Sequence, residues 1–483
     1  MDVVKQNLER LVDLIKPQMS FLNCHMVDYL VNDHWNTYVP AEIRCELKTR
    51  EDFRNAKELF WGQFEKSNQF APGFPSLAKH IEMSKEYRLD ALSNVLMTTE
   101  QLKFAFDSCL KHTRLNMPEL MSPKKCHEVE IASAVVASLC TVIASRTGLA
   151  SMEQIAVIDA GDGKGYLSSR VALEHDIKVL GIDANEGHTA SAEQRRDRLK
   201  KKVRGAIRRS NLADDEYFGT MALGSENQLQ SNYKTTTKLI DFETDLIELV
   251  QDQFPKSKPS HFCLAGLHTC GNLGPNCLRL FHQNRHIRAL CNVGCCYHLL
   301  VEEFVVDKFY NPDKFKDNPG FGFPMSQYLR EKHFFLGRNV RNMAGESIER
   351  SAANREDPSD KLGYRAMLQL VLKKLHADEN SQVGKMKCSG FVDYARKSFK
   401  RLKVDDSGVT DAELSDMEDK FSLELEQLKV FYLYRMTFAP IVESVILLDR
   451  LLFLKECGYD NSFLVNIFDP VVSPRRFAIL AFK

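Results

Sequence analysis

The sequence predicts an α/β fold built on a mainly parallel, doubly wound sheet, with helical segments before it and inserted within it. Two observations lead to this prediction. Short apolar runs alternate with helical stretches from Ile155 onwards, which is the pattern of βαβ units. A glycine-rich segment directly follows the first of these runs, at the strand-to-helix turn where such folds bind nucleotides.

The apolar runs predict five parallel strands followed by a C-terminal reversed hairpin. The link between the last two runs, Asp469–Arg476, is too short for a crossover helix, so those two strands should pair antiparallel. This arrangement is the class I methyltransferase layout, with a Rossmann-like sheet. The predicted strands are Ile155–Asp159, Lys178–Asp183, Lys238–Asp241, Phe262–Leu267, Ala289–Val293, Phe463–Phe468 and Phe477–Phe482.

Four segments are expected along the chain. Residues 1–120 form a helical N-terminal domain, as the apolar face of Leu8, Leu11, Leu14 and Ile15 indicates. Residues 121–298 form the first part of the sheet domain, beginning with a helix. Residues 299–430 form a mostly helical, substrate-side insertion that ends near an exposed acidic connector, residues 404–420. Residues 431–483 supply the closing helix and hairpin.

Composition and charge narrow the class of protein. Hydrophobic residues make up 44% and charged residues 27% of the 483 residues, which is a globular balance. Lys plus Arg and Asp plus Glu number 65 each, so any RNA contact requires a local patch. Thirteen scattered cysteines favour a reducing compartment, cytoplasmic or nuclear. No apolar run approaches the roughly 20 residues that cross a bilayer, so we expect no membrane association.

The segment VIDAGDGKG, residues 157–165, predicts an S-adenosylmethionine site. Its three glycines allow positive φ and close approach of a ligand, and the next helix N-terminus offers N–H groups to a carboxylate. Asp183 lies about 20 residues further on, where nucleotide folds place the acid that binds ribose hydroxyls. Asp159 should lie near the ligand's ammonium, whereas Asp241 either contacts adenine or only caps a loop. A dinucleotide oxidoreductase would instead carry G-x-G-x-x-G.

Two cysteine motifs should meet at the sheet edge where the methyl group would lie. GLHTCGNLGP (266–275) follows the fourth strand and NVGCCYH (292–298) the fifth, and ligands of parallel sheets bind beyond the carboxyl ends of strands. In a first interpretation Tyr297 stacks on a substrate ring while His268 or His298 relays a proton. In a second, Cys295 and Cys296 only pack.

Two further interpretations of the motifs remain open. His268, Cys270, Cys295, Cys296 and His298 include enough ligand types for zinc, but adjacent cysteines normally point in different directions, so we predict no metal. RNA cytosine-5 methyltransferases also carry one cysteine after each of these strands, and one of the two attacks the base. Those enzymes place proline before the first cysteine, where this chain has Thr269. A basic run at residues 195–209 most simply solvates its helix, with an RNA patch as the alternative.

The motifs resemble the methyltransferase-like protein 25 family, also labelled rRNA adenine dimethylase domain-containing. The matching segments run in order from about residue 121 to the C-terminus: MSPKKCHEVE, VIDAGDGKGYLSS, VLGIDAN, LAGLHTCGNLGP, NVGCCYHLL, GFGFPMS, GYRAMLQ and SPRRFAILAF. The histidine–cysteine and double-cysteine pairing is similar to that of a family of tRNA 2′-O-methyltransferases. The chain departs from the expected pattern at Asn272, where we expect an acid, and at Asp162, which adds a charge to the loop.

The resemblance implies an S-adenosylmethionine-dependent methyltransferase, with RNA as the favoured acceptor. Lys124, Lys125, His127 and Glu128 would border the site. A protein methyltransferase that binds its partner through the helical regions, or an inactive methyltransferase-fold scaffold, are the alternatives. The residues predicted to face the substrate are His268, Cys270, Cys295, Cys296, Tyr297 and His298. The residues predicted to contact the cofactor are Lys125, His127, Asp159, Gly161, Asp162, Gly163, Gly165, Asp183, Ala184, Asp241 and His268.

Overall fold

The computed structural model describes the chain except for residues 64–72, 107–110, 112–120, 211–230, 306–319, 377–382 and 385, and the side chains of 99 and 202–210. The chain forms two compact units, each assembled from segments that are apart in the sequence. The first consists of Met1–Val12, Leu92–Gly345 and Glu443–Lys483, and the second of Asp13–Ala91 and Glu346–Val442. All the residues predicted to bind cofactor or substrate lie in the first unit.

A single eight-stranded sheet forms the centre of the first unit. Its strands are β1 Leu96–Met97, β2 Ile155–Ala160, β3 Lys178–Asp183, β4 Tyr233–Thr237, β5 His261–Cys270, β6 Ile287–Cys295, β7 Ser462–Asn466 and β8 Phe477–Phe482. Their order is β1-β7-β8-β6-β5-β2-β3-β4. Neighbouring strands are parallel except that β8 is antiparallel to both β6 and β7. The class I methyltransferase fold, with five parallel strands and a C-terminal hairpin, is confirmed, and β1 adds an unpredicted edge strand.

The third predicted strand is wrong in position. The strand begins at Tyr233 and ends at Thr237, ahead of the predicted Lys238–Asp241. It is an edge strand rich in threonine, whose β-branched side chain suits a pleated sheet, and only Tyr233 in it is buried. An apolar pattern does not reveal such a strand. Residues 238–241 instead form the loop that follows it.

Helices cover the sheet and make up most of the remaining described chain. The N-terminal helices are α1 Asp2–Ile15, α2 Met19–Asn23, α3 His34–Tyr38, α4 Ala41–Glu46, α5 Arg50–Gly62, α6 Pro75–Lys85 and α7 Thr99–Ala105. The helices between strands are α8 Pro123–Thr147, α9 Tyr166–Glu174, α10 Glu186–Ser210, α11 Leu246–Gln253 and α12 Leu273–Gln283. After β6 follow α13 Gln327–Glu331, α14 Arg338–Met343, α15 Ile348–Ala353, α16 Lys361–Lys374, α17 Phe391–Leu402, α18 Asp411–Lys420, α19 Ser422–Met436 and α20 Ala439–Glu456.

Helix α8 begins and ends where its local sequence predicts. The Ser122 hydroxyl accepts a hydrogen bond from the N–H of Lys125, Pro123 occupies the first turn, and Gly148 closes the helix with φ of 65°. Val129 and Val136 of α8 share a hydrophobic core with Val157 of β2. The beginning of α8 therefore lies against the sheet that carries the glycine loop.

Helix α8 also corrects an expectation about apolar segments. By length and composition alone it could cross a bilayer, contrary to the expectation that no segment approaches that length. Within its most apolar window, 61% of the residues are buried in the structure. In the described chain α8 is packed as a core helix on β2, β5 and β6.

The second unit has its own helical core. Met367 of α16, Phe391 and Tyr394 of α17 and Leu414 of α18 are fully or almost fully buried there. The acidic segment 404–420, expected to be an exposed connector, thus includes a helix that contributes to this core. Thr410 and Glu413 cap α18 reciprocally, and such a capping box explains how a charged segment becomes helical.

Candidate active site

The loop between β2 and α9 turns back onto β3. Gly161, Gly163 and Gly165 have φ values of 81°, 60° and 69°, a region that L side chains rarely adopt. The N–H of Gly161 donates to the carbonyl of Ile182 over 2.8 Å, and the N–H of Gly163 donates to Oδ2 of Asp183 over 2.9 Å. The structure thereby brings the predicted loop and the predicted acid together at the carboxyl ends of β2 and β3.

The carboxylate of Asp183 is oriented by several donors but remains accessible. The N–H of Asn185 donates to its Oδ1 over 2.8 Å, and Nδ1 of His188 lies 3.2 Å from the same oxygen. The side chain of Asp183 is 14% exposed and that of His188 is 51% exposed. Because the imidazole lies at the surface, a ligand hydroxyl can replace it at the carboxylate. Ala184, also predicted to contact cofactor, is exposed beside Asp183.

Asp162 points into the protein rather than into the loop's open side. Its carboxylate is almost completely buried and accepts hydrogen bonds from the hydroxyls of Ser168 (2.6 Å) and Tyr233. A side chain at Gly181 would collide with it. The buried carboxylate of Asp162 therefore connects β3, β4 and α9. This structural role of Asp162 was not predicted from the sequence.

Asp159 and Asp162 share one hydroxyl donor. Oγ of Ser168 lies 2.9 Å from Asp159 Oδ2 as well as 2.6 Å from Asp162, and one hydroxyl has only one proton to donate. Burial, with the nearby charge of Asp162, raises the pKa of Asp159 well above its ordinary value. Burial also raises the pKa of Asp162. The pair therefore retains a proton unless a cation approaches, as the ammonium of S-adenosylmethionine would.

Asp241 caps a turn after β4. Its Oδ1 accepts hydrogen bonds from the N–H of Glu243 over 3.0 Å and from the hydroxyl of Thr244 over 2.7 Å. Of the two roles that the sequence left open for Asp241, this geometry favours the capping role. Contact with a base would use the oxygen that these donors leave free.

Glu128, which is buried, and His268, which is partly exposed, form a pair that links α8 to β5. Nε2 of His268 lies 3.0 Å from Oε2 of Glu128, and Ser473 donates to the other carboxylate oxygen over 2.7 Å. Burial by itself would raise the pKa of Glu128, but the hydrogen bonds from His268 and Ser473 and the charge of Lys125 lower it to about 2. Glu128 is thus a carboxylate that orients the ring of His268, which remains 24% exposed.

The other residues of the segment 124–128 surround this pair. Lys124 and Lys125 place their Nζ atoms 3.6 Å and 3.3 Å from the carboxylate of Glu128. Nε2 of His127 accepts the N–H of Asp469 over 3.1 Å, so this predicted cofactor residue holds the loop between β7 and β8. Nζ of Lys125 lies 6.0 Å from the ring centre of Tyr166, the first residue of α9. The segment therefore borders the glycine loop, as the resemblance implies.

Three cysteine thiols converge at the ends of β5 and β6. Sγ of Cys270 lies 3.1 Å from that of Cys295 and 3.4 Å from that of Cys296. The hydrogen bond from Cys295 lowers the pKa of Cys270 to about 6. The same hydrogen bond, with burial, raises the pKa of Cys295, and burial raises that of Cys296. Cys270 is exposed, so the thiol with the lowered pKa is also the most accessible of the three.

The backbone around this cluster is unusual. His268 and Cys296 have φ values of 74° and 50°, and Gly271 has 54°. A left-handed conformation at a residue other than glycine costs about 1–3 kcal/mol and concentrates at functional sites. At Cys296 this conformation turns the side chain toward Cys270, so the expectation that adjacent cysteines diverge is wrong here.

Tyr297 is enclosed by protein and is not available to stack on a substrate. It is 1% exposed, and its hydroxyl donates to Oε1 of Glu443 over 3.0 Å. The guanidinium carbons of Arg450 and Arg475 lie 5.6 Å and 5.8 Å from its ring centre. The stacking interpretation is therefore wrong in this conformation, and Tyr297 instead packs inside the protein against the side chains of α20 and Arg475.

His298 and Asn272 also lie just beyond the carboxyl ends of β6 and β5. Burial lowers the pKa of His298, as do the guanidiniums of Arg338, Arg341 and Arg475, so the ring is neutral at neutral pH. Asn272, found where an acid was expected, accepts the N–H of Val301 over 2.9 Å and donates to the carbonyl of Gly320 over 3.0 Å. Because a carboxylate could not donate to Gly320, the amide suits this structural position.

Several residues of the site were not found from the sequence. Ser168 and Tyr233 hold the buried carboxylates, and Arg450, Arg475 and Glu443 surround Tyr297. Arg450 and Glu443 could have been identified from the sequence because they are charged residues in the strongly apolar helix α20. Charged side chains are seldom buried unless they are paired.

Comparison with known proteins agrees with this geometry. A family model described as a methyltransferase domain matches residues 124–303, a stretch that contains Glu128, the glycine loop, Asp183 and the three cysteines. No solved structure matches the chain. The fold and the matched stretch define a methyltransferase domain of class I.

The relatives are similar along nearly the whole chain. A human protein named "Probable methyltransferase-like protein 25" is 29% identical, with 99% of this chain and 97% of the relative aligned. The mouse protein of the same name is 28% identical, with 99% and 96% aligned. The resemblance to methyltransferase-like protein 25 is thus confirmed.

Proposed function

We propose that this chain transfers a methyl group from S-adenosylmethionine to an RNA acceptor. The observation that carries the cofactor assignment is the hydrogen bond between Gly163 N–H and Asp183 Oδ2. It places bare loop backbone beside an accessible carboxylate, so a methionine moiety fits along the loop while ribose hydroxyls reach the acid. Asp159 supplies the carboxylate for the ligand's ammonium.

Calorimetry with S-adenosylhomocysteine tests the cofactor. Asp183→Asn should weaken binding about tenfold or more, because a hydrogen bond to a charged group contributes about 1.5–3 kcal/mol. Asp252→Asn, which alters an exposed carboxylate on α11, is the matched control and should bind like wild type. Wild-type protein that binds no S-adenosylhomocysteine would contradict the proposal and favour an inactive scaffold.

His268 is the residue we assign to proton transfer. If Nε2–H donates to Glu128, the lone pair of Nδ1 is left to accept a proton from the methyl acceptor. His268→Gln should lower kcat by about 10²–10⁴-fold, the usual contribution of a general base, while S-adenosylhomocysteine affinity stays within about twofold. A parallel loss of affinity would make His268 a cofactor contact instead.

The proposal that the methyl acceptor is RNA rests on local positive charge beside the glycine loop. Lys164 is exposed within the glycine loop, and Lys124 and Lys125, with side chains 39% and 28% exposed, border it. These lysines give the entrance of the site a local positive charge in a chain whose net charge is zero. Lysine side chains bind the phosphate groups of nucleic acids. The described cysteines are free thiols, which suits a cytoplasmic or nuclear enzyme.

Labelled S-adenosylmethionine added to a cell extract identifies the acceptor class. We expect label in a fraction that ribonuclease destroys and protease spares, and much less label when Asp183→Asn replaces wild type at a subsaturating cofactor concentration. Label that protease removes and ribonuclease spares would show a protein methyltransferase instead. The basic run at 195–209 adds little to this proposal, because Arg195 is buried against the ring of Tyr166 and the side chains from 202 on lie outside the described residues.

A further inference from the structure

We propose that Cys270, Cys295 and Cys296 form a binding site for a thiophilic metal ion such as Zn²⁺, with three thiolate ligands and one open coordination position. The three sulfur atoms all lie within 4.8 Å of one another. They come from the ends of two neighbouring parallel strands, β5 and β6, whose pairing extends to Cys270 opposite Cys295. The strand ends therefore hold two ligands at a fixed separation before any metal arrives.

The backbone brings the third ligand to the same point. Two adjacent residues in a regular strand direct their side chains to opposite faces, which would separate Cys295 from Cys296. Cys296 leaves the strand in the left-handed conformation, with φ of 50°, and its sulfur comes within 3.4 Å of Cys270. Such a conformation persists only where its surroundings impose it.

The spacing of the sulfur atoms fits metal binding better than simple packing. Tetrahedral zinc with Zn–S bonds of about 2.3 Å places its sulfur ligands about 3.8 Å apart. The sulfur separations of 3.1 Å and 3.4 Å need only small side-chain rotations to reach that value. Cys270 is exposed, Cys296 is intermediate and Cys295 is buried, so the fourth position opens toward solvent, as it does in zinc sites that bind a substrate.

Buried positive charge next to the cluster supplies an independent observation. Arg450 is 1% exposed, and its three guanidinium nitrogens have no hydrogen-bond partner among the described residues. Its neighbours include Cys295 and Tyr297, as well as Asp449, which is occupied by the N–H groups of Met325 and Ser326. A buried charge without hydrogen bonds is costly, so an additional anion beside the cluster would stabilise this position.

Metal binding would supply that anion. A divalent ion with three thiolates carries one net negative charge, since the bound thiols are deprotonated. Arg475, near Cys270 and Cys296, adds a second guanidinium, one nitrogen of which, Nη1, has no partner among the described residues. The loaded site and the two arginines would therefore carry complementary charges.

Cobalt titration of the reduced, chelator-stripped full chain tests the site. Wild type should bind about one equivalent of Co²⁺ with thiolate-to-cobalt charge-transfer absorption. Cys270→Ser should lose most of that absorption, whereas Cys457→Ser, a partly buried thiol of the same unit, should keep it. Because Cys270 is exposed, its replacement should leave the fold intact, which circular dichroism confirms independently. Absence of the absorption in wild type, or equal absorption in Cys270→Ser, would overturn the proposal.

Two further measurements separate the metal site from other uses of the thiols. Arg475→Gln should weaken Zn²⁺ binding by about tenfold, the usual effect of a residue next to the ligands, whereas its neighbour variant Arg476→Gln should not. Native mass spectrometry of the chain held at a cytosolic glutathione potential, with Zn²⁺ present, should show the bound ion and no disulfide in the cluster. A Cys270–Cys295 disulfide formed under those conditions, in place of metal, would refute the site.

Discussion

Glu128 and His268 meet across 140 residues of the chain, with Oε2 and Nε2 separated by 3.0 Å. The carboxylate comes from the first turns of α8. The imidazole comes from a bulge near the end of β5, where His268 has a φ of 74°. A carboxylate behind a histidine fixes the ring's tautomer and orientation. The pair therefore couples the packing of α8 to the chemistry expected at the sheet edge.

Glu128→Gln should destabilise the chain at neutral pH but not in acid. Hydrogen bonds and Lys125 lower the pKa of Glu128 from 4.5 to about 2 despite its burial. An acid with a lowered folded pKa stabilises the fold above its unfolded pKa, and that stability is lost as pH falls from about 4.5 to about 2. The difference is about 3 kcal/mol.

Urea unfolding of wild type and Glu128→Gln at pH 7, and again in acid, measures this effect. Glu130→Gln is the matched control, since its side chain lies on the same helix and is 49% exposed. Equal destabilisation by Glu128→Gln at both pH values would show that the carboxylate's charge contributes nothing.

Much of this site could be predicted from the sequence. The contacts that could not be predicted join residues that lie far apart along the chain. The loop glycines and Asp183 lie about 20 residues apart within one βαβ unit, where local geometry dictates that they meet. Glu128 reaches His268 from another element, and no local pattern indicates which strand end it will face. The left-handed turn at Cys296, next to the buried Tyr297, likewise has no signal in the local sequence. β4 was misplaced because its threonines give no apolar run.

The affinity for S-adenosylhomocysteine should rise with pH. Burial and Asp162 raise the pKa of Asp159, so the free protein binds a proton at a pH where an ordinary aspartate has lost it. The ligand's ammonium favours the ionised carboxylate. Binding therefore strengthens as the pH rises through the range in which Asp159 of the free protein still holds its proton, and it levels off once Asp159 is ionised.

Calorimetry in two buffers of different ionisation enthalpy detects the proton released on binding. Asp162→Asn removes a neighbouring like charge and should move the rise in affinity to lower pH. Binding that releases no proton at any pH on the rising part of the curve would mean that Asp159 is already ionised in the free protein.

Tyr233→Phe should destabilise the first unit. The phenol donates to the buried carboxylate of Asp162, and a buried acceptor that loses its donor costs about 1–3 kcal/mol. Tyr459→Phe removes a hydroxyl that bonds to the carbonyl of His282 at the surface and should cost less than about 1 kcal/mol. Thermal and urea unfolding compare the two, and equal losses would show that Asp162 does not depend on Tyr233.

Arg450→Met should stabilise the metal-free chain. Its guanidinium is buried without a hydrogen-bond partner among the described residues, and replacing buried charge by an apolar side chain of similar size gains about 1–4 kcal/mol in favourable cases. Arg450→Lys, which keeps the charge, should give no gain. Urea unfolding in chelator measures both variants, and a repeat with saturating Zn²⁺ should shrink the gain of the methionine variant, because loaded thiolates compensate the native guanidinium. A methionine variant that is less stable than wild type in chelator would show that Arg450 already has its counter-charge without metal.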